Sequence, residues 1–283
     1  MNVYAEKPER LLTQIELGSA ILSQSSYCAG FELKAWRCNA LADHLIEWIA
    51  DYALKEEELS GSHGNMYIRL KQAAARIYST EKYERRGEVG EILLHAICRD
   101  FFSTIPLAPR VFYLTSSNEV VKSFDLVHVR PLGEETFEIW LGEAKFYKDA
   151  DDAIRAAITS VESHIDQGFL NNEKLILGPQ ISKDVPHWAE IRKILSSRTS
   201  LDELFKAAVF PICIACDSAA VNGHEIHCES YSAAVLNEID SLNSKLVNSG
   251  LNQKIAIQLI YVPLASKDLL ANAFDKRLKG LSP

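Results

Sequence analysis

The sequence predicts an α/β protein with a mixed central sheet flanked by helices, and three observations carry that expectation. Apolar residues recur every three or four positions from Asn39 to about Phe102, then alternate with a period near two between Arg110 and Ala144. Helical spacing returns after Lys145. Two strongly apolar runs, Ala207 to Cys216 and Lys254 to Val262, then flank a further helical segment. The resulting order, ααα–βββ–α–α–β–α–β–α, is that of a sheet covered by helices.

The first forty residues are ambiguous, with a Ser-rich patch at Gln24 to Tyr27. From Asn39, Leu41, Leu45, Trp48, Ile49, Tyr52 and Ala53 lie on one helical face, which Gly61-Ser-His-Gly64 ends. A second helix, Asn65 to Tyr78, carries Tyr67, Leu70, Ala74 and Ile77 on one face, and a third runs from about Gly87 to Phe102, stopped by Pro106 and Pro109. Arg110 to Thr115 and Val120 to Arg130 are rich in β-formers, with Phe124, Leu126, His128 and Arg130 on one side of the latter. Pro131 to Glu135 is a polar turn into the strand Thr136 to Ala144. Helices are then expected to about Ile165, at Trp188 to Leu195, at Ser232 to Val247 and at Asp268 to Leu278.

The chain has 283 residues and 30 basic against 38 acidic side chains, a net charge of −8. That length supports a large core, and the acidity argues against unaided, charge-driven binding of nucleic acid. No apolar stretch approaches membrane-spanning length, and the N-terminal MNVYAEKPERLL lacks the apolar segment of a secretory signal. Six scattered cysteines fit reduced thiols, so a cytoplasmic location is expected.

One group of residues carries chemistry. Glu143 and Lys145 stand two apart on a strand and share a face with Phe137, Ile139 and Leu141, so a charged end continues an apolar face. The hairpin turn at Pro131 to Glu135 brings Asp125 of the preceding strand beside Glu143. Carboxylates and an ammonium so placed are costly unless they pair or bind a cation. Two hard oxygen ligands with open positions suit Mg²⁺ or Mn²⁺, and a lysine beside them can orient an attacking water. The E-x-K spacing alone carries little, since Glu32-Leu33-Lys34 repeats it without such surroundings. Upstream, the segment Arg85-Arg86-Gly87-Glu88-Val89-Gly90-Glu91 opens a helix with two acids one turn apart on one face.

Helix-Glu, strand-Asp, strand-Glu-x-Lys resembles the PD-(D/E)xK nuclease superfamily, the fold of type II restriction enzymes and archaeal Holliday-junction resolvases. Phe124 stands where that motif has proline. The resemblance implies a restriction-endonuclease-like core over 85–283 after a mainly helical region, 1–84. It implies Asp125 and Glu143 as metal ligands, Lys145 as the catalytic lysine, and Glu91, through Arg86-Gly87-x-x-x-Glu91, rather than Glu88 as a further acid. Tyr147 and Lys148 are the candidate substrate contacts. Across the wider chain, the Gly-Glu-Ile-Leu-Leu-His helix, the Ser-Phe-Asp strand and Gly-Glu-Ala-Lys-Phe-Tyr resemble the nuclease family of the bacterial Hachiman anti-phage defence system. That implies DNA as substrate, Mg²⁺ or Mn²⁺ as cofactor and a superfamily 2 helicase as partner.

Other residues are read as structural. Cys213 and Cys216 lie three apart in an apolar run, so on a strand they point to opposite faces and do not grip one ion. His95 is expected to be a packing histidine, and His128 and Lys122 to face away from the site.

Overall fold

The computed structural model describes residues 3–15, 22–59, 63–78, 87–107, 124–134 and 136–281. The expected strand Arg110 to Thr115, the start of Val120 to Arg130, Lys122, and the Arg85-Arg86 helix entry lie outside those residues. The first strands are β1 (Thr13–Ile15), β2 (Ser23–Cys28), β3 (Phe31–Glu32) and β4 (Ala35–Trp36), followed by α1 (Cys38–Ala53), α2 (Glu56–Leu59), α3 (Met66–Tyr78) and α4 (Gly87–Phe101). Next come β5 (Ile105–Pro106), β6 (Leu126–Pro131), β7 (Phe137–Tyr147), α5 (Ala150–His164), α6 (Gln167–Leu177), α7 (Trp188–Ile194) and α8 (Leu201–Ala207). The chain ends with β8 (Ala208–Asp217), α9 (Ala219–Asn222), α10 (Glu229–Asn248), β9 (Ala256–Leu264) and α11 (Lys267–Leu281).

Among the described residues, seven strands form one mixed sheet in the order β1-β2-β9-β8-β7-β6-β5. The central four, β2, β9, β8 and β7, are parallel, and β1, β6 and β5 run antiparallel to their neighbours. The expected α/β class with a helix-flanked mixed sheet is therefore what the chain adopts. The Ser-rich patch of the first region is β2, hydrogen-bonded to β9 of the last, so residues from 1–84 and from 85–283 share this sheet.

Alternation along each strand sorts the core into two faces. Ile139 and Leu141 of β7, Phe210, Ile212, Ile214 and Cys216 of β8, and Leu259 of β9 pack on one face beneath Ala153, Ile154, Ala157 and Val161 of α5 and the apolar stripe of α10. Trp140, Cys213, Ala215, Ile260 and Val262 pack on the other, beneath α1, α3, α4 and α11. Burial on both faces is why β8 and β9 read as continuous apolar runs. It also sends Cys213 and Cys216 to opposite faces, as the spacing requires, and burial pushes both thiols up, that of Cys216 to about 12.

The second E-x-K triplet is a hairpin corner. Leu33 and Lys34 both adopt left-handed backbone (φ 48° and 67°) between β3 and β4, and Lys34 pairs on the surface with Glu225.

Candidate active site at the end of strand β7

β7 turns into α5 through Lys148 and Asp149. Asp149 caps the helix by accepting from the N–H of Asp152 at 2.8 Å, and Asp151 and Asp152 favour its positive end. This short connection folds α5 back over the face of β7 that carries Ile139, Leu141 and Glu143.

Glu143 is only 3% exposed, so the charged end of the strand lies within the core rather than emerging from it. Its Oε1 accepts from Lys145 Nζ, and its Oε2 lies 3.2 Å from His164 Nδ1. Burial pushes the carboxyl up, but His164 and Lys145 outweigh it and hold the group below its ordinary value. Burial pushes Lys145 down, and Glu143 with Asp125 outweighs that and keeps the ammonium charged. Such a pair tolerates burial only because each charge has a partner.

Asp125 sits one residue before β6. The β6–β7 register ends at Leu126↔Gly142, and the N–H of Asp125 also addresses Gly142 O at 2.9 Å. Two successive residues therefore face one, and the alternation slips by a residue, as at a β-bulge. The Asp125 Oδ2 then accepts from the N–H of Ala144 at 2.8 Å. This slip corrects one expectation. Phe124 does not share a side with Leu126 but joins the opposite core face, against His164, Phe169 and Phe210.

Asp125, Glu143 and Lys145 are thus brought together at the point where β6 begins and β7 continues beside β8. Glu91 belongs to α4, which covers the other face of the sheet from Glu143 and Lys145. The neighbouring Gly90 lies against Ala144 and Phe146, with 3.0 Å from an ideal Cβ to Phe146 Cβ, and these two residues alternate with Glu143 and Lys145. Glu91 itself accepts from Tyr52 Oη at 2.5 Å. Tyr147 is exposed beyond the site, and Lys148 pairs with Asp268 at 2.6 Å on the surface. His95 bonds Asp51 at 2.7 Å and His128 bonds Thr104 at 2.7 Å, both as buried packing groups.

Among the described residues, no three His, Cys, Asp or Glu side chains converge as a cation's ligand set. Asp125 and Glu143 nonetheless fit Mg²⁺ or Mn²⁺ in chemistry. Two hard carboxylates suffice when water and substrate oxygens supply the rest, and buried Glu143 Oε2 has no hydrogen-bond partner besides His164 Nδ1, 3.2 Å away.

Sequence reasoning missed His164. Its signal was a titratable residue on the buried stripe of α5, in step with Ala153, Ile154, Ala157 and Val161.

The family model described as HamA matches residues 10–278. Anti-bacteriophage protein A of Escherichia coli (strain K12) is 23% identical over 125 residues, which is 44% of this chain and 23% of that protein. The matched part thus spans less than a quarter of that relative's length. No solved structure matches the chain.

Proposed function

The chain belongs to the HamA family, and on that premise we propose that it is a metal-dependent DNA nuclease, the effector subunit of an anti-phage defence complex with a superfamily 2 (HamB-like) helicase. One observation carries the reading. A buried carboxylate, Glu143, is paired with Lys145 two residues on, at the strand end where Asp125 enters the sheet.

In this reading Asp125 and Glu143 hold Mg²⁺ or Mn²⁺. When bound, that cation supplies Lewis-acid stabilisation of the charge on the phosphate oxygens. Lys145, kept protonated by its acidic neighbours, donates a hydrogen bond to the attacking water and offsets charge developing at phosphorus. Water attacks phosphorus in line, the P–O3′ bond breaks, and the products are a 5′-phosphate and a 3′-hydroxyl. Glu91, bonded to Tyr52 on the α4 side, is the further acid of this reading, and Tyr147 and Lys148 are its candidate contacts to the DNA backbone.

The net charge of −8 supports a subunit to which a helicase delivers DNA. Among the described residues, no helix is long and apolar enough to cross a membrane.

A second reading draws on the Lys145–Glu143 pairing and the lack, among the described residues, of a converged three-ligand set: a nuclease-fold subunit that docks on and regulates the helicase without cutting. Co-purification with the helicase subunit, followed by DNA cleavage assays with and without Mg²⁺ and ATP, separates the two. Mg²⁺-dependent cutting is expected, and its absence under every condition supports the regulatory reading.

A further inference from the structure

His164 is aimed at the site from α5. It occupies the last turn of that helix, on a stripe otherwise made of Ala153, Ile154, Ala157 and Val161. Its ring stacks on Phe169 at 4.5 Å with 19° between planes and meets the edge of Phe124 at 5.0 Å. Those contacts leave the imidazole little rotational freedom. His164 Nδ1 and Glu143 Oε2 are both buried and lie 3.2 Å apart, and each has no hydrogen-bond partner besides the other. Of the other buried histidines, His95 and His128 are bonded to Asp51 and Thr104, and His44 accepts from Trp48 and faces Glu47 on α1, away from the reacting centre. Glu143 is divided between two neighbours, with Oε1 on Lys145 and Oε2 toward His164.

We infer that His164 is the positioning residue of the site: held between Phe124 and Phe169, it sets the plane of the Glu143 carboxylate and so presents one oxygen for a divalent cation. It acts through Glu143, as partners behind a ligating carboxylate commonly do. The inference rests on the nuclease reading and adds to it the group that orients the acid.

Two substitutions in the full chain separate positioning from packing. His164→Phe keeps a ring between Phe124 and Phe169 and removes the nitrogen. His164→Asn returns an amide N–H near the Nδ1 position and removes the ring. Calorimetric titration of the chain with Mn²⁺ is the primary readout, with kcat and KM on DNA in the complex with the helicase subunit as the second and the thermal midpoint in EDTA as a control for folding. Positioning predicts that His164→Phe weakens Mn²⁺ binding and lowers kcat by about 10–100-fold with KM for DNA little changed, and that His164→Asn restores most of both. A packing role predicts the reverse order of the two variants. Wild-type Mn²⁺ binding matched by His164→Phe overturns the inference alone. If the wild-type chain binds no Mn²⁺, the reading of the site falls, and the inference with it.

Discussion

Asp125 Oδ2 accepts a 2.8 Å hydrogen bond from the backbone N–H of Ala144, the residue between Glu143 and Lys145. One carboxylate thus closes the end of the β6–β7 ladder and stands at the candidate metal site. The two duties are separable. Asp125→Asn keeps an acceptor for Ala144 and removes the charge, so cleavage should fall at least about 100-fold with the thermal midpoint nearly unchanged. Asp125→Ala also strands the N–H and should cost about 1 kcal/mol or more of stability. Cutting by Asp125→Asn at the wild-type rate would remove Asp125 from the site.

Gly142 is required by close packing. A Cβ there would lie 2.9 Å from Leu126 Cβ, 2.9 Å from Leu94 Cδ2 and 3.1 Å from Pro211 Cγ. Gly142→Ala should therefore destabilise the protein by about 1–3 kcal/mol through overpacking. It should also displace the adjacent Glu143, lowering cleavage together with the urea midpoint. An unchanged midpoint would mean that α4, β6 and β8 are less tightly apposed than described.

Acid should destabilise the fold from mildly acidic pH. Burial pushes His44, His95 and His128 below their ordinary value of 6.5, against the pull of Asp51 in the case of His95. Groups depressed in the folded state contribute stability that is fully present above 6.5 and is lost as pH falls, because the unfolded chain then binds more protons. Asp51 has the same sign at lower pH. Burial pushes its carboxyl up, but His95 and Arg99 hold it below 3.8, so its contribution persists above 3.8 and is lost beneath it. Urea unfolding at pH 7.5, 6.5 and 5.5 should show falling stability, with a shallower slope in His128→Asn. A rise in stability below pH 6.5 would contradict this picture.

DNA binding by the isolated chain should be weak. With a net charge of −8 there is little counterion release to draw on. Anisotropy titrations of the chain alone should show no tight, steeply salt-dependent binding, whereas the complex with a helicase should bind. Tight binding by the chain alone would remove the need for delivery by a partner.

Much of the site was legible because strand parity and hairpin register are local. The antiparallel pairing of β6 with β7 and the shared face of Ile139, Leu141, Glu143 and Lys145 follow from spacing alone. What escaped depends on tertiary contacts. β2, Ser-Gln-Ser-Ser-Tyr-Cys, lies in a stretch left ambiguous by its Ser-rich pattern, and it is a strand of the parallel core because β9 pairs with it. Phe124 changes face because Asp125 and Leu126 share Gly142, an irregularity with no composition cue. His164 lies 21 residues after Glu143 and meets it only when α5 folds back over β7. The helical spacing equally left Glu88 and Glu91 undivided, and it could not show that α4 covers the face carrying Ala144 and Phe146.

The most direct test of the central claim is Mg²⁺-dependent DNA cleavage by the helicase complex carrying Lys145→Ala, measured beside wild type with matched thermal midpoints. Removal of the ammonium should lower cleavage by at least about 100-fold while the complex still assembles. Cleavage at the wild-type rate in that variant would contradict the assignment of this strand end as the nuclease site.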